Sequence, residues 1–298
     1  MTRILHKLIG AGALLLLMSM AVAQERPLKF FISVDMEGIG GIGTSQMTRS
    51  GGKDYALGRR LVTAEVNTVV EAIRARHPDA SILVNDSHGD MRNLNHLELH
   101  PEVTYIQGNI KPLGMVQGLD SSFDGAIFLG YHTRAGTENG FLAHTGSGSV
   151  KGLWLNGLEV GEGGLNAAFA GALGVPIILA AGDTAFAAQI KEHIRPVTVS
   201  TKDAVGAQSC RLLHPDVVRK RLQQGVEAAL ARLSQFQPWD IGSPIEIRMR
   251  FATTAKADVL QAIPGMSRLD GFMVGYTAGG IDEAYRLIRL MYKYVQVN

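Results

Sequence analysis

The chain has 298 residues, with 29 Lys and Arg against 27 Asp and Glu, and a single cysteine, Cys210. This charge balance excludes the basic footprint typical of nucleic-acid-binding proteins, and one cysteine excludes an intrachain disulfide. The length is sufficient for one large hydrophobic core or for two unequal lobes.

The first 23 residues have the pattern of a secretory signal peptide. Arg3 and Lys7 form a basic segment, residues 8–20 are apolar, and residues 21–23 read Ala-Val-Ala, a small-residue cleavage site. The apolar run is short for a transmembrane span of about 20 residues, and no other segment is long and apolar enough. We therefore expect cleavage after Ala23, which gives a secreted, periplasmic protein with no stable membrane span.

Beyond the leader, segments with strand periodicity alternate with segments of helical periodicity. This alternation predicts an α/β fold in which a parallel or mixed sheet is flanked by helices. The predicted elements, in chain order, are strand 28–34, helix 55–76, strands 81–85 and 103–107, short helix 111–119, strand 125–131, a hairpin of 153–155 and 158–160, helix 162–173, strand 176–181, helices 184–193 and 216–233, strands 245–251 and 272–276, and helix 282–294.

The chain offers one weak domain boundary, near Gln237-Pro238. It divides the sequence into the signal peptide 1–23, a main α/β domain 24–237, and a smaller C-terminal β-α portion 238–298. This last portion forms either a lobe of its own or part of the same domain.

The most informative segment is the apolar strand 28–34 with the two acids that follow it, Asp35 and Glu37. Carboxylates at the end of a buried strand need a compensating partner. Strand alternation puts both on one side of the carboxyl end, where open α/β sheets bind ligands. A surface loop is the alternative, but two acids between an apolar run and a glycine cluster favour a site.

Two histidines occupy equivalent positions behind other predicted strands. His88 follows Asn85-Asp86-Ser87, and His132 follows Gly130-Tyr131. Either histidine alone is more often structural, and the residues before His88 are also turn formers. Together with the two acids, however, they form the ligand set of a hydrolytic metal site.

Two further residues are candidates with weaker local signals. Glu162 opens a helix, where an acid is also favoured by the helix dipole alone. His144 lies in the polar, glycine-rich loop 140–147, which suits a residue that transfers protons more than a rigid metal ligand.

Two other catalytic patterns fail on their context. Gly38, Gly40 and Gly43 match the dinucleotide fingerprint, but acids precede them and no apolar helix opens at the third glycine. Ser147 and Ser149 lie near His144, but the sequence has no G-x-S-x-G nucleophile elbow.

Five sequence blocks in this order carry a resemblance to a known family. The blocks are Ser33-Val34-Asp35-Met36-Glu37-Gly38-Ile39, Val84-Asn85-Asp86-Ser87-His88, Phe128-Leu129-Gly130-Tyr131-His132, the loop ending in His144, and Gly161-Glu162-x-Gly164-Leu165-Asn166-Ala167. On these blocks the chain resembles the zinc-dependent D-aminopeptidases of the DppA type, over essentially the whole length after the leader.

The resemblance implies a metallopeptidase with two Zn²⁺ per chain that removes N-terminal D-amino acids from short peptides. It also implies a homo-oligomer, a decameric ring whose chamber admits small substrates. The implied roles are Asp35 as the bridge between the two zinc ions, Glu37 and His132 on one zinc, His88 and Glu162 on the other, and His144 as the catalytic residue.

The chemistry of the residues agrees with this implication. Two zinc ions roughly 3.5–4 Å apart can share a hydroxide that attacks the scissile carbonyl, with assistance from His144. Two other functions remain open at this point. One is another periplasmic dinuclear hydrolase, such as a cell-wall peptide amidase or a phosphoesterase, for which Arg134 is the only evident local phosphate clamp. The other is a non-catalytic protein that binds metal or peptide.

Overall fold

A seven-stranded, mainly parallel sheet forms the centre of the protein. The computed structural model describes residues 26–297, so the predicted signal peptide lies outside the described residues. Only the last strand of this sheet runs antiparallel to its neighbour. In spatial order the strands are β3 (Thr104–Ile106), β2 (Ser81–Asp86), β1 (Lys29–Val34), β4 (Gly125–Tyr131), β7 (Ile177–Asp183), β8 (Val197–Gly206) and β9 (Ser209–Leu212).

Six α-helices accompany the strands within residues 26–297. None of them combines the length and the hydropathy that a membrane span requires. Their bounds are α1 (Tyr55–Arg76), α2 (Glu162–Ala172), α3 (Thr184–Gln189), α4 (Pro215–Leu230), α5 (Thr254–Leu260) and α6 (Ile281–Arg289).

Strand β1 is buried on both faces, and its alternation assigns each side chain to one of two cores. Phe30, Ile32 and Val34 pack with α1 and α4 on one face. Phe31 packs on the opposite face, together with α2 and α6. This explains the continuous apolar sequence of the strand, since a parallel sheet covered on both faces has no solvated side.

A second, five-stranded antiparallel sheet covers part of the α2 face. The strand order is β11 (Ser267–Arg268), β12 (Met273–Ala278), β10 (Ile245–Phe251), β5 (Val150–Leu155) and β6 (Leu158–Glu159). Asn156 and Gly157 connect β5 to β6 with φ angles of 49° and 81°, the two positive values that a type I′ turn requires. The predicted hairpin turn is therefore confirmed.

The α/β fold is confirmed, and several local expectations were incomplete. The hairpin β8–β9 and helix α5 were not predicted, and the segment 111–119 forms only a 3₁₀ turn at Gly114–Val116. The division at residue 237 stays a prediction. Strand β10, which follows this division, pairs with β5, which precedes it, so the C-terminal portion shares a sheet with the main domain.

Candidate metal centre

The candidate ligands lie at the carboxyl ends of three neighbouring strands. Asp35 directly follows β1, His88 follows β2 by two residues, and His132 directly follows β4. Backbone hydrogen bonds extend the sheet into this region, since the Asp35 N–H donates to Leu129 O at 2.8 Å. Parallel strands thus bring together residues that are about 100 positions apart in the sequence.

The structure gathers all six predicted residues into one cluster, and Asp35 lies at its centre. One carboxylate oxygen of Asp35 is 2.9 Å from His88 Nδ1, and the other is 3.4 Å from His132 Nε2. His88 Nδ1 is also 3.0 Å from Glu37 Oε2. On the other side, Glu162 Oε2 is 3.5 Å from His132 Nε2. Asp35 therefore faces two separate histidines with two separate oxygens.

His144 lies at the edge of the cluster, beside Glu162. Its Nε2 is 3.6 Å from Glu162 Oε1, and its ring stacks on His132 with the two centroids 4.0 Å apart. Its Nδ1 is 2.9 Å from Leu142 O. A neutral ring that donates from Nδ1 to this carbonyl leaves Nε2 free to accept a proton.

Two subsets of the cluster have donor atoms close enough to hold one cation. One is Asp35, Glu37 and His132, the set that the family resemblance implies for one zinc. The other is His132, His144 and Glu162. The described residues do not group His88 with Glu162 in this way, so their predicted sharing of the second zinc stays a prediction.

Unpartnered buried atoms show that this cluster fits a metal ion. Among residues 26–297, Asp35 Oδ2, Glu37 Oε2 and His132 Nε2 are buried without a hydrogen-bond partner. His132 Nδ1 is 2.9 Å from Thr133 O, so a neutral ring that donates there turns the lone pair of Nε2 toward two carboxylates. Acceptors that face acceptors in a buried site need a cation between them.

The electrostatics of the cluster agree with this requirement. Burial, reinforced by the charge of Glu37, raises the pKa of Asp35 to about 7. Burial also disfavours ionised Glu162, but the charge of His132 outweighs it and lowers the pKa of Glu162 to about 2. Burial disfavours charged His132, yet Glu162 raises its pKa to about 10. The carboxylates thus hold protons on their histidine neighbours, and a divalent cation can replace those protons.

A buried polar network supports the cluster from below. The Tyr131 hydroxyl is 2.6 Å from Ser33 Oγ and accepts a hydrogen bond from Asn166 Nδ2 at 2.9 Å. Asn166 Oδ1 in turn accepts from the Tyr285 hydroxyl at 2.7 Å. The network joins β1, β4, α2 and α6, which fixes the strand ends relative to the helix that carries Glu162.

Lys202 holds the loop that carries Glu37, a role that no local sequence pattern indicates. It lies on β8, is 1 % exposed, and donates from Nζ to Glu37 O and Ile42 O, both at 2.6 Å. Burial lowers its pKa to about 8. Strand β8 reads Val-Thr-Val-Ser-Thr-Lys, in which the lysine resembles an exposed residue of an edge strand.

The rejected patterns have ordinary structural roles. Behind Gly43 the chain forms a 3₁₀ turn at Ser45–Met47, so the helix that a dinucleotide site needs does not open at the third glycine. The Ser147 and Ser149 hydroxyls are 2.7 Å apart and bond to each other. Arg134 pairs with Glu159 and Glu192 at 3.4 and 3.0 Å, so its guanidinium is already neutralised.

Comparison with known proteins agrees with this geometry. The model of the peptidase family M55, described as D-aminopeptidase, matches residues 28–290. The chain belongs to this family. A D-aminopeptidase of Bacillus subtilis (strain 168) is 35% identical over 267 residues, which cover 89% of this chain and 96% of the relative.

A solved structure has the same fold. It is described as the Zn-dependent D-aminopeptidase DppA from Bacillus subtilis, a self-compartmentalizing protease. The two structures superpose with a TM-score of 0.87 at 33% identity, over 91% of this chain and 100% of the other. The predicted family and its enzyme class, a metallopeptidase, are thereby confirmed.

The position of Gly38 provides a test of how the ligand loop is held. A Cβ at this residue would overlap Tyr131 O and lie 2.6 Å from Gly130 C and 2.8 Å from Gly182 Cα, all of them backbone atoms. We expect Gly38→Ala to lower the free energy of unfolding by about 1–3 kcal/mol and to reduce bound zinc, because backbone cannot move aside as a side chain can.

The matched control is Gly148→Ala. Gly148 is exposed, and no atom lies within 4 Å of its would-be Cβ, so its free energy of unfolding should change by less than about 0.5 kcal/mol. Urea unfolding and zinc analysis measure both effects. A Gly38→Ala protein with the stability and zinc content of the control would contradict the proposed contact.

Proposed function

We propose that the protein is a dinuclear zinc aminopeptidase that hydrolyses N-terminal D-amino acids from short peptides. The observation that carries this proposal is the buried Asp35 carboxylate, whose two oxygens face His88 and His132 separately while Oδ2 has no hydrogen-bond partner. A carboxylate in this position suits a bridge between two metal ions.

The residues divide into ligands and a proton-transfer group. Zinc, when bound, supplies Lewis-acid polarisation of the scissile carbonyl and an activated water at neutral pH. We assign Asp35, Glu37, His88, His132 and Glu162 as its ligands.

His144 is suited to proton transfer, because its Nε2 faces the cluster from the cleft side while its Nδ1 is anchored on Leu142 O. Burial, reinforced by the charge of His132, lowers the pKa of His144 and favours the neutral ring that a general base requires.

Recognition of a free N-terminus also follows from the cluster. A substrate α-ammonium placed beside Asp35 or Glu162 can donate charge-assisted hydrogen bonds to these carboxylates. The preference for D-residues is proposed from the relatives, since the Bacillus subtilis proteins are named D-aminopeptidases.

Peptide hydrolysis by the purified, zinc-loaded protein tests the proposal. We expect cleavage of D-Ala-D-Ala, little cleavage of L-Ala-L-Ala, and no cleavage of N-acetyl-D-Ala-D-Ala, because acetylation removes the recognised charge. Chelation of zinc should abolish activity. Equal hydrolysis of acetylated and free peptides would indicate a peptide amidase instead, and cleavage of L-peptides alone would contradict the stereochemical part.

Zinc content tests the bridging role of Asp35. We expect about two zinc ions per wild-type chain and the largest loss in Asp35→Ala, because a bridge serves both ions. The control is Asp90→Ala, which removes an exposed acid two residues beyond His88 and should keep both ions. Full occupancy in Asp35→Ala, measured by plasma emission spectrometry, is the result that excludes the bridge.

Turnover of a metal-replete variant tests His144. His144→Ala should keep zinc and fold while kcat falls roughly 10²–10⁴-fold, the usual range for a general acid or base. His193→Ala is the matched control, because this half-buried histidine stacks on Trp239 with the centroids 4.8 Å apart and lies outside the cleft. Wild-type turnover in His144→Ala would favour a non-catalytic role.

We further propose assembly into a closed homo-oligomeric ring, a decamer. Support comes from the relative described as self-compartmentalizing. Analytical ultracentrifugation should show one large species. A monomer at micromolar concentration would contradict the ring.

Export is the remaining proposal, and it rests on the basic, apolar and Ala-Val-Ala pattern of residues 1–23. N-terminal sequencing of the protein recovered from its native host should begin at Gln24. Retention of Met1 on a membrane-associated protein would show that the segment acts as an anchor.

A further inference from the structure

Arg289 is a buried cation in the wall of the active-site cleft. It is the last residue of α6, and it is only 2% exposed. The cleft that it lines is also lined by Asp35, His88 and Glu162. Arg289 and the acidic cluster therefore line the same opening.

All the hydrogen-bond partners of this guanidinium are neutral. Its Nη1 donates to the Tyr292 hydroxyl at 3.3 Å, and its Nη2 donates to Lys111 O and the Tyr294 hydroxyl, both at 3.1 Å. Its Nε is buried with no hydrogen-bond partner among the described residues. Within residues 26–297, Arg289 forms no ion pair with a carboxylate.

The fold makes room for this side chain. Gly114 has a φ of +44°, a conformation that other residues rarely adopt, and a Cβ there would overlap Arg289 Nη1. The guanidinium thus packs directly against the backbone at Gly114.

Lys293 adds a second positive charge to the same wall. It lines the cleft beside Arg289, is only partly buried, and donates from Nζ to Gly89 O at 2.9 Å. The cleft thus has one wall rich in carboxylates and another wall with two cations, neither of which forms an ion pair with a carboxylate within residues 26–297.

A buried guanidinium without a counter-ion is unfavourable, and an anionic ligand in the cleft would supply the missing charge. Arginine binds planar carboxylates particularly well, because its N–H groups match the two oxygens. A peptide whose scissile bond lies at the metal ligands would bring such a carboxylate into the same cleft at its C-terminus.

A short path of contacts connects the two walls. The Gly146 N–H donates to Glu162 Oε1 at 2.6 Å, and the Tyr292 ring packs against Gly146 and bonds to Arg289. Only two residues, Gly146 and Tyr292, separate the guanidinium from Glu162 along this path. The two walls of the cleft are therefore close neighbours, and a short peptide is the ligand class that such a cleft suits.

We propose that Arg289, assisted by Lys293, binds the C-terminal carboxylate of the peptide substrate, which makes the enzyme selective for very short peptides with a free C-terminus. This inference rests on the proposed aminopeptidase function. The carboxyl end of the substrate lies at the cationic wall, and its scissile bond lies at the metal ligands of the opposite wall.

The test compares D-Ala-D-Ala with D-Ala-D-alaninamide, which lacks the C-terminal charge. In the wild-type protein kcat/KM for the acid should exceed that for the amide roughly 10- to 100-fold, the effect of a charged hydrogen bond. Arg289→Gln should bring this ratio close to one, mainly by raising KM for the acid. Arg289→Lys should retain part of the preference.

Two further variants control for structural damage. Lys293→Gln removes a partly exposed charge and should lower the acid-to-amide ratio by a smaller factor, even where Arg289→Gln folds poorly. Arg286→Gln alters the exposed arginine one turn earlier on α6, which pairs with Asp282 at 2.8 Å, and should leave the ratio unchanged.

The outcomes separate this inference from the proposed function. Equal cleavage of the acid and the amide by the wild-type protein would overturn the inference and leave the aminopeptidase function intact. Equal loss of both activities in Arg289→Gln, with an unchanged ratio, would assign Arg289 to the structure alone. Cleavage of neither peptide would overturn the proposed function, and the inference with it.

Discussion

The mutual repulsion of three buried carboxylates is the constraint on which the site depends. Asp35, Glu37 and Glu162 are each less than a tenth exposed, and burial makes like charges at such distances costly. Two histidines, His88 and His132, lie between them and offset part of this charge. Because the offset is incomplete, buried oxygens remain without partners, and the site is built to take up further positive charge.

The surrounding fold keeps this unfavourable cluster together. Lys202 ties the Glu37 loop to β8 through two backbone carbonyls, and Glu65 of α1 accepts a hydrogen bond from the Gly40 N–H at 2.8 Å. Beneath the cluster, the hydroxyls of Tyr131 and Tyr285 share Asn166. The loop is thus fixed by side chains from two different elements, β8 and α1. Such second-layer contacts hold metal ligands in position before the metal binds.

The sequence predicts the candidate metal ligands better than the other residues that shape the site, and the reason is physical. Asp35 and His132 directly follow apolar strands, so local pattern alone places them at the sheet edge. Lys202 and Arg289 acquire their roles only through packing between distant segments, and a charged residue in an amphipathic strand or helix looks solvent-exposed. The hairpin β8–β9 is not predicted from the sequence because polar residues interrupt the apolar alternation of β8. Residues 111–119 do not form the predicted helix, because Gly114 adopts a positive φ.

The cationic wall of the cleft disfavours one of the two orientations that a dipeptide could take. A dipeptide carries an ammonium at one end and a carboxylate at the other, and in the reversed orientation its ammonium would face Arg289 and Lys293. Repulsion between these like charges would disfavour the reversed peptide, a form of specificity that needs no additional contact. In a peptide held in one orientation, a D-residue and an L-residue would direct the Cα substituent to different sides of the cleft, so the shape of the cleft alone could distinguish them.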